Sequence, residues 1–326
     1  MTEVPVSIVI PMFNEAGTIE RCILSVLDQH YPQDQIEIVV VDGLSRDGSR
    51  EKVKTLAREH GNIVLLDNPA RRTPAALNIG IRNARGQIVI ILGAHTRIDE
   101  EFVRLNVLTM QEKGVKCVGG TQINVGETFT QRAIGLAMGS PFGIPSAPYR
   151  YRRKQGYVDT VVYAAYLREL FDQVGYFDET LHISEDAELN WRIRKAGHKI
   201  FYTPEIVSYY YPRRNLKRLI QQFFNYGILR SNVIRKHRDA AKAVHLIPPL
   251  FILSTVVLAV ISFFNPLARL LLGLLWTLYL LYVVTASVFM ALRERDLRLL
   301  LILPLIFLVM QVGWGAGFLV GFFKSR

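Results

Sequence analysis

Three apolar stretches close this chain, and no other feature restricts its fold as severely. Residues 244–264, 270–292 and 299–323 each exceed twenty positions with no acid, Lys or Arg inside. At 1.5 Å of rise per residue, a helix of that length reaches across a hydrocarbon layer of about 30 Å. A backbone in lipid must satisfy its own polar groups, so these stretches are expected to be helices, and three transmembrane spans are predicted for residues 244–326. The 293–298 loop and the basic stretch before Val244 would share one side, cytoplasmic by the positive-inside rule, with the 265–269 turn opposite. A third span then carries Lys324 and Arg326 to the far side, against that rule. A re-entrant first span at Pro248-Pro249 moves the conflict without removing it.

The tail takes much of the 50% apolar content, and 326 residues leave room upstream for a sizeable soluble domain. The net charge of +11 invites a nucleic-acid reading. The basic residues instead crowd beside the tail: residues 213–242 hold nine Lys or Arg against one acid, Asp239. Leu216, Leu219, Ile220, Phe223 and Phe224 recur there at helical spacing, so residues 213–243 are expected to form a basic amphipathic segment on membrane lipids, with no nucleic acid as partner. A core helix with a charged outer face would show the same pattern. Cys22 and Cys117 are isolated and lack metal-ligand spacing, which suits a reducing compartment. The chain enters its first strand within six residues, so no signal peptide is expected.

The first half alternates buried strands with amphipathic helices. Residues 6–10, 36–41, 63–66 and 87–92 are apolar runs, separated by helical patterns at 18–29, 49–60 and 74–84. This predicts an α/β fold with an open, mostly parallel, doubly wound sheet, whose ligands bind beyond the carboxyl ends of the strands. Those ends read Pro11-Met12-Phe13-Asn14-Glu15, Asp42-Gly43-Leu44-Ser45-Arg46-Asp47-Gly48-Ser49 and Gly93-Ala94-His95. No Gly-x-Gly-x-x-Gly or Gly-Lys-Ser/Thr is present, which excludes the usual dinucleotide and phosphate loops. An Asp at a strand end can accept hydrogen bonds from a base or ribose, although Asp-Gly is also a common turn.

Further on, His182-Ile183-Ser184-Glu185-Asp186-Ala187-Glu188-Leu189-Asn190-Trp191-Arg192 gathers acids ahead of a short amphipathic helix. Ser184 is placed to cap it and Glu185, Asp186 and Glu188 fall in its first turn, where the macrodipole favours negative charge. That placement is ordinary helix chemistry. It also suits a general base, since Asp186 is expected to be ionised at neutral pH. The loop at 140–148 is rich in Gly and Pro, and Tyr149-Arg150-Tyr151-Arg152-Arg153-Lys154 interleaves cations with tyrosines, as suits a headgroup or pyrophosphate.

Residues 6–15, 40–48, 175–179 (Gly-Tyr-Phe-Asp-Glu) and 185–189 (Glu-Asp-Ala-Glu-Leu), in this order and spacing, resemble family 2 glycosyltransferases of GT-A fold, in particular the bacterial succinoglycan-type exopolysaccharide glucosyltransferases. The resemblance covers roughly residues 4 to 240. It implies inverting transfer of a sugar from a nucleotide diphosphate sugar, expected to be a UDP-sugar, to a lipid-linked (polyprenyl-diphosphate) glycan acceptor at the inner membrane, with the catalytic domain cytoplasmic. It also implies a catalytic domain at 1–212, with Pro11, Asn14, Glu15, Asp42, Asp47, Arg72, Gly93 and Ala94 around the donor. Asp186 is then the base with Glu185 beside it, and Arg150, Arg213 and Gln222 serve the acceptor or diphosphate.

The chain departs from the family at one place. The metal-binding Asp-x-Asp belongs after the fourth strand, where this sequence reads Gly93-Ala94-His95. His95 can supply one imidazole to Mg²⁺ or Mn²⁺, with substrate diphosphate and water completing the shell. Arg71, Arg72, Arg213 and Arg214 are alternative sources of positive charge. Gln222-Phe223-Phe224-Asn225-Tyr226 stands where processive synthases carry Gln-x-x-Arg-Trp, which favours transfer of one sugar. The missing Asp leaves a second reading open: a catalytically idle GT-A domain that binds lipid-linked glycan or scaffolds a synthesis complex. The sheet is complete upstream of residue 244, so a piece lacking the tail is expected to fold.

Overall fold

The computed structural model describes residues 3–180 and 185–324. The chain divides into two compact units, one formed by 1–123 and 147–210 and the other by 124–146 and 211–326.

The first unit begins β1 (Val6–Met12), α1 (Ile19–Leu27), β2 (Ile36–Asp42), α2 (Ser49–Glu59), β3 (Ile63–Asp67), α3 (Thr73–Asn83) and β4 (Ile88–Ile91), as the apolar periodicity predicts. β1 lies between β2 and β4, and all three contacts among β1–β4 are parallel, Ile8 facing Ile38 on one side and Ile90 on the other. Alternate residues of β1 serve opposite faces. Ile8 and Ile10 pack with Ile23 and Val26 of α1 and Val53 of α2, whereas Val9 packs with Leu77 and Ile81 of α3. Both faces are covered, which is why the run is continuously apolar instead of alternating. Each such buried side chain contributes about 1.5–3 kcal/mol. Gly80 lets α3 approach β1, since a Cβ there would fall 2.3 Å from Val9 Cγ1.

The rest of the sheet is not parallel. β5 (Thr96–Ile98), α4 (Phe102–Lys113), β6 (Cys117–Asn124), β7 (Gly156–Val158), β8 (Ala165–Leu167), α6 (Glu169–Val174), α7 (Glu185–Lys195) and β9 (Ile200–Tyr210) complete the unit, while α5 (Phe129–Met138) belongs to the second. The sheet order is β3-β2-β1-β4-β8-β6-β9-β5, with β7 on β9. β8 pairs antiparallel with β4 and β6, and β9 pairs antiparallel with β5 and β7. The expected mostly parallel sheet is therefore a mixed one. Parallel pairing is confined to β1–β4, and β8 runs back along the far edge of β4.

The second unit holds α5, α8 (Leu216–Lys236), α9 (Ala243–Ser262), α10 (Pro266–Glu294) and α11 (Leu299–Phe323). It thus takes residues 124–146, which the sequence reading placed inside the catalytic domain. Three helices, α9, α10 and α11, are long and apolar enough to cross a membrane. Pro248 and Pro249 sit inside α9 without ending it. α8 has the expected apolar face, but that face is covered by protein. Cβ atoms at Gly313, Gly317 and Gly321 would fall 2.9, 1.9 and 2.8 Å from the carbonyls of Ile220, Phe224 and Ile228. Each step of four along α11 matches a step of four along α8, so the two run side by side in the same direction. One face of α8 is thus packed on α11, because the glycines remove the side chains that would hold the backbones apart.

Candidate active site

The loops after β1 and β2 are stapled to each other. Ser45 Oγ accepts from the Asn14 N–H at 2.8 Å and donates to Asp42 Oδ1 at 2.6 Å, while the Arg46 N–H donates to Asn14 Oδ1 at 3.0 Å. Asn14 and Leu44 both hold positive φ, at 54° and 61°. Asn tolerates this conformation and a γ-branched Leu does not favour it, so the turn is held by its bonds. One residue on, the Glu15 N–H donates to Ser49 Oγ at 2.7 Å and the Ala16 N–H to Asp47 Oδ2 at 2.9 Å. Burial alone would raise the Asp47 carboxyl, but bonds from the Ser49 side chain and the backbone N–H groups of Ala16 and Ser49 bring it below its usual range.

Asp42 is completely buried, and its carboxylate accepts from the Ser45 N–H and from Arg50 Nη1 at 2.9 Å. The same guanidinium reaches Asp67 Oδ1, at the end of β3, at 2.6 Å. Asp67 keeps half of its side-chain surface exposed. In this structure Asp42 thus organises the strand-end loops, and Asp67 is an exposed acid on the same edge. The sequence reading singled out neither Arg50 nor Asp67. Asp67 ends its strand just as Asp42 ends β2, which was the available signal.

β4 ends in the Gly93-Ala94-His95 turn, closed by the Thr96 N–H donating to the Gly93 carbonyl at 2.9 Å, with Ala94 buried. His95 Nδ1 lies 3.2 Å from Glu15 Oε1, and the ring meets Tyr210 edge-on at 5.6 Å between centroids. Glu15 is steadied by Thr18, whose hydroxyl donates to Oε2 at 2.8 Å. The Arg150 guanidinium lies over the Tyr210 ring at 5.7 Å and over Tyr149 at 5.4 Å, so a cation, an aromatic ring, an imidazole and a carboxylate follow one another. Among the described residues, no three His, Cys, Asp or Glu converge as a metal cage. The pair nonetheless has the chemistry of a metal-holding imidazole: a carboxylate orients one ring nitrogen and leaves Nε2 for an ion.

The acids of α7 are held by the body of their helix. Leu189 and Ile193 are buried, Asn190 Nδ2 donates to the Val161 carbonyl at 3.1 Å, and the Glu188 carboxylate takes Arg192 Nε at 2.9 Å. Arg192 also donates to the carbonyls of Val174, Gly175 and Tyr176. The Asn78 amide bonds Phe177 in both directions at 2.9 Å, so residues 174–177 are fixed to α3 as well as to α7. Glu188 thus holds Arg192 in place, and Glu185 and Asp186 head a helix anchored along its body. Burial, then the charge of Asp186, pushes the Glu185 carboxyl up to about 7. The expected Ser184 cap lies outside the described residues.

Pro11, Arg72, Arg213 and Gln222 complete the expected set. Pro11 is in β1 and Arg72 precedes α3, its carbonyl accepting from Asn68 Nδ2 at 2.9 Å. Arg213 and Gln222 belong to the second unit, where Arg213 is exposed and Gln222 Nε2 donates to the Tyr226 hydroxyl at 2.8 Å.

Comparison with known proteins fits this arrangement. Residues 7–175 match the family model for glycosyl transferase family 2. The chain is 31% identical to the succinoglycan biosynthesis protein ExoA of Rhizobium meliloti, over 95% of this chain and 93% of that protein. It is 29% identical to a dolichyl N-acetyl-α-D-glucosaminyl phosphate 3-β-D-2,3-diacetamido-2,3-dideoxy-β-D-glucuronosyltransferase of Methanococcus voltae, over 98% of each. Among solved structures, the mannosyltransferase PcManGT of Pyrobaculum calidifontis, in complex with GDP-Man and Mn²⁺, superposes with a TM-score of 0.68 at 20% identity, over 100% of this chain and 89% of that one. The fold is thus GT-A, and the chain belongs to glycosyltransferase family 2, a family of enzymes.

Proposed function

We propose that this enzyme transfers one sugar, with inversion, from a nucleotide diphosphate sugar to a hydroxyl of a lipid-linked glycan at a membrane surface. The observation that carries the reading is the pairing of two pre-set elements: strand-end loops cross-bonded around Asn14, Ser45 and Asp42, and an acid pair on a helix clamped by Glu188 and Arg192. The Asp186 carboxylate takes the acceptor proton as the hydroxyl oxygen bonds to the anomeric carbon. The bond from that carbon to the diphosphate breaks, and its electron pair leaves with the nucleotide. Glu15 holds the His95 ring with Nε2 available to a divalent ion, Mg²⁺ or Mn²⁺, which when bound neutralises charge on the leaving diphosphate. Arg150, over Tyr210, adds fixed positive charge. The ring-and-loop edge around Asn14 and Asp67 receives the nucleoside, expected to be uridine.

The lipid-linked acceptor is supported by the three apolar helices and by the Methanococcus relative, a transferase named for a dolichyl-linked sugar. The Rhizobium relative supports exopolysaccharide synthesis as the setting. Incubating the full chain with UDP-, GDP- and dTDP-sugars and polyprenyl-diphosphate glycans tests the proposal: a product of inverted anomeric configuration is expected, and its absence across the panel overturns it. A second reading, an idle domain that binds lipid-linked glycan, rests on the lack of a three-residue metal cage among the described residues. It predicts glycolipid binding with neither transfer nor donor hydrolysis.

A further inference from the structure

The second unit contains a cavity of ≈ 410 Å³ bounded by α9, α10, α11 and the loop at 142–146. That volume lies in the range of about 300–1,000 Å³ typical of small-molecule sites. Phe251, Leu275, Leu278 and Trp314 make most of its wall apolar. The loop is tied down, because the Tyr282 hydroxyl donates to the Phe142 carbonyl at 2.7 Å. Among the polar side chains that line it, two carry buried atoms that no other group meets. His245 is 2% exposed, and its Nε2 has no hydrogen-bond partner; the Tyr279 hydroxyl is likewise buried and unpartnered.

The tautomer of His245 follows from its neighbour. The Lys242 N–H donates to His245 Nδ1 at 3.2 Å, so in the neutral ring the proton sits on Nε2. The cavity therefore presents two unmet donors, Nε2–H and O–H. Native proteins rarely leave buried donors unmet, and an empty apolar pocket supplies nothing to meet them. His245 also lies in the first turn of α9, where the macrodipole is positive and the preceding residues 235–242 are rich in Lys and Arg. The missing acceptor is thus the anionic end of a molecule whose remainder is apolar.

We propose that this cavity binds the phosphate end of a polyprenyl phosphate or diphosphate. Phosphate oxygens accept from His245 Nε2 and the Tyr279 hydroxyl, and the first isoprene units pack along Phe251, Leu275, Leu278 and Trp314. The choice of an isoprenoid rests on the lipid-linked acceptor proposed above, and the cavity gives that acceptor a place on this chain.

The test uses the full chain in nanodiscs with geranylgeranyl phosphate as probe, binding being followed by native mass spectrometry. Saturable binding is expected that neither phosphatidylglycerol nor inorganic phosphate displaces. His245→Phe and Tyr279→Phe should each weaken it about tenfold, the cost of one charge-assisted bond. Tyr279→Phe keeps the whole ring, so a loss there is not a packing effect. Equal displacement by phosphatidylglycerol would show a general lipid cleft and overturn the proposal, as would unchanged affinity in Tyr279→Phe. Sugar transfer to lipid-linked acceptors with cavity variants that bind normally overturns this site and leaves the function standing. Specific isoprenoid binding by a chain that glycosylates only soluble acceptors does the reverse.

Discussion

His95 Nδ1 and Glu15 Oε1 are 3.2 Å apart, although 80 residues separate them in sequence. The contact joins the end of β4 to the end of β1, and it fixes which imidazole nitrogen faces outward. If His95 Nε2 holds the ion, His95→Ala should lower transfer about 100-fold, with partial recovery at raised Mn²⁺, since mass action offsets weakened binding. Glu15→Gln should weaken metal affinity about tenfold while leaving the ligand itself in place. Titration of Mn²⁺ by calorimetry reads both directly. Full wild-type activity after metal stripping in EDTA would transfer the task to Arg150.

Asp186→Asn should cut kcat by about 10²–10⁴, the usual contribution of a positioned base. Nucleotide-sugar affinity should stay within a few-fold, because the cross-bonded donor loops are separate from α7. Single-turnover kinetics beside equilibrium nucleotide binding separates the two quantities. Turnover at the wild-type rate removes Asp186 from the reaction.

Glu185 offers a pH test with a definite sign. Folding raises its pKa from an ordinary carboxyl value to about 7, so the fold favours the protonated form. The stabilisation is complete below the unfolded pKa of about 4.3 and is lost as pH rises through about 7. Glu185→Gln should therefore match wild-type thermal stability near pH 4 and exceed it at pH 8. Parallel melting curves for the two proteins across that range would refute the raised Glu185 pKa.

In the second unit, Gly227→Val is expected to destabilise by about 1–3 kcal/mol, because a Cβ at 227 would sit 2.1 Å from the Trp314 carbonyl. Gly273→Val, with nothing within 4 Å of its Cβ, should be near neutral. Urea unfolding in detergent compares them. Valine has the better helix propensity at both positions, so a loss at 227 alone can come only from the close approach of α8 and α11.

The parallel half of the sheet was legible because each strand is an unbroken apolar run ended by Pro, Asp-Gly or Gly-Ala. The antiparallel half was not. β5, β7 and β8 have three residues each, too few for a period to register. Asp42, His95 and Asp186 stood out as strand-end or helix-start residues. What sequence could not give was how Asp42 is used, since its bond to Arg50 and the link from Arg50 to Asp67 depend on α2 lying against β3. Helical spacing likewise showed that one face of α8 is covered but not by what. With α11 as the cover, removing residues 244–326 would strip α8 of its partner, so the truncated piece should aggregate where the sequence alone promised an independent domain.

The glycine face of α11 also bears on which helices meet lipid. Leu253, Val256, Val260, Phe263, Phe264, Leu267, Leu270 and Leu274 of the α9–α10 hairpin point outward, whereas 39% of the most apolar window of α11 is buried against 11% for each of its neighbours. Over its second half α11 is shackled to a helix bearing Lys217, Arg218, Arg230, Arg235 and Lys236, and the Lys324 carbonyl accepts from Arg235 Nη1 at 3.3 Å. The hairpin thus keeps its apolar surface for lipid, while α11 gives much of its own to seating a basic helix.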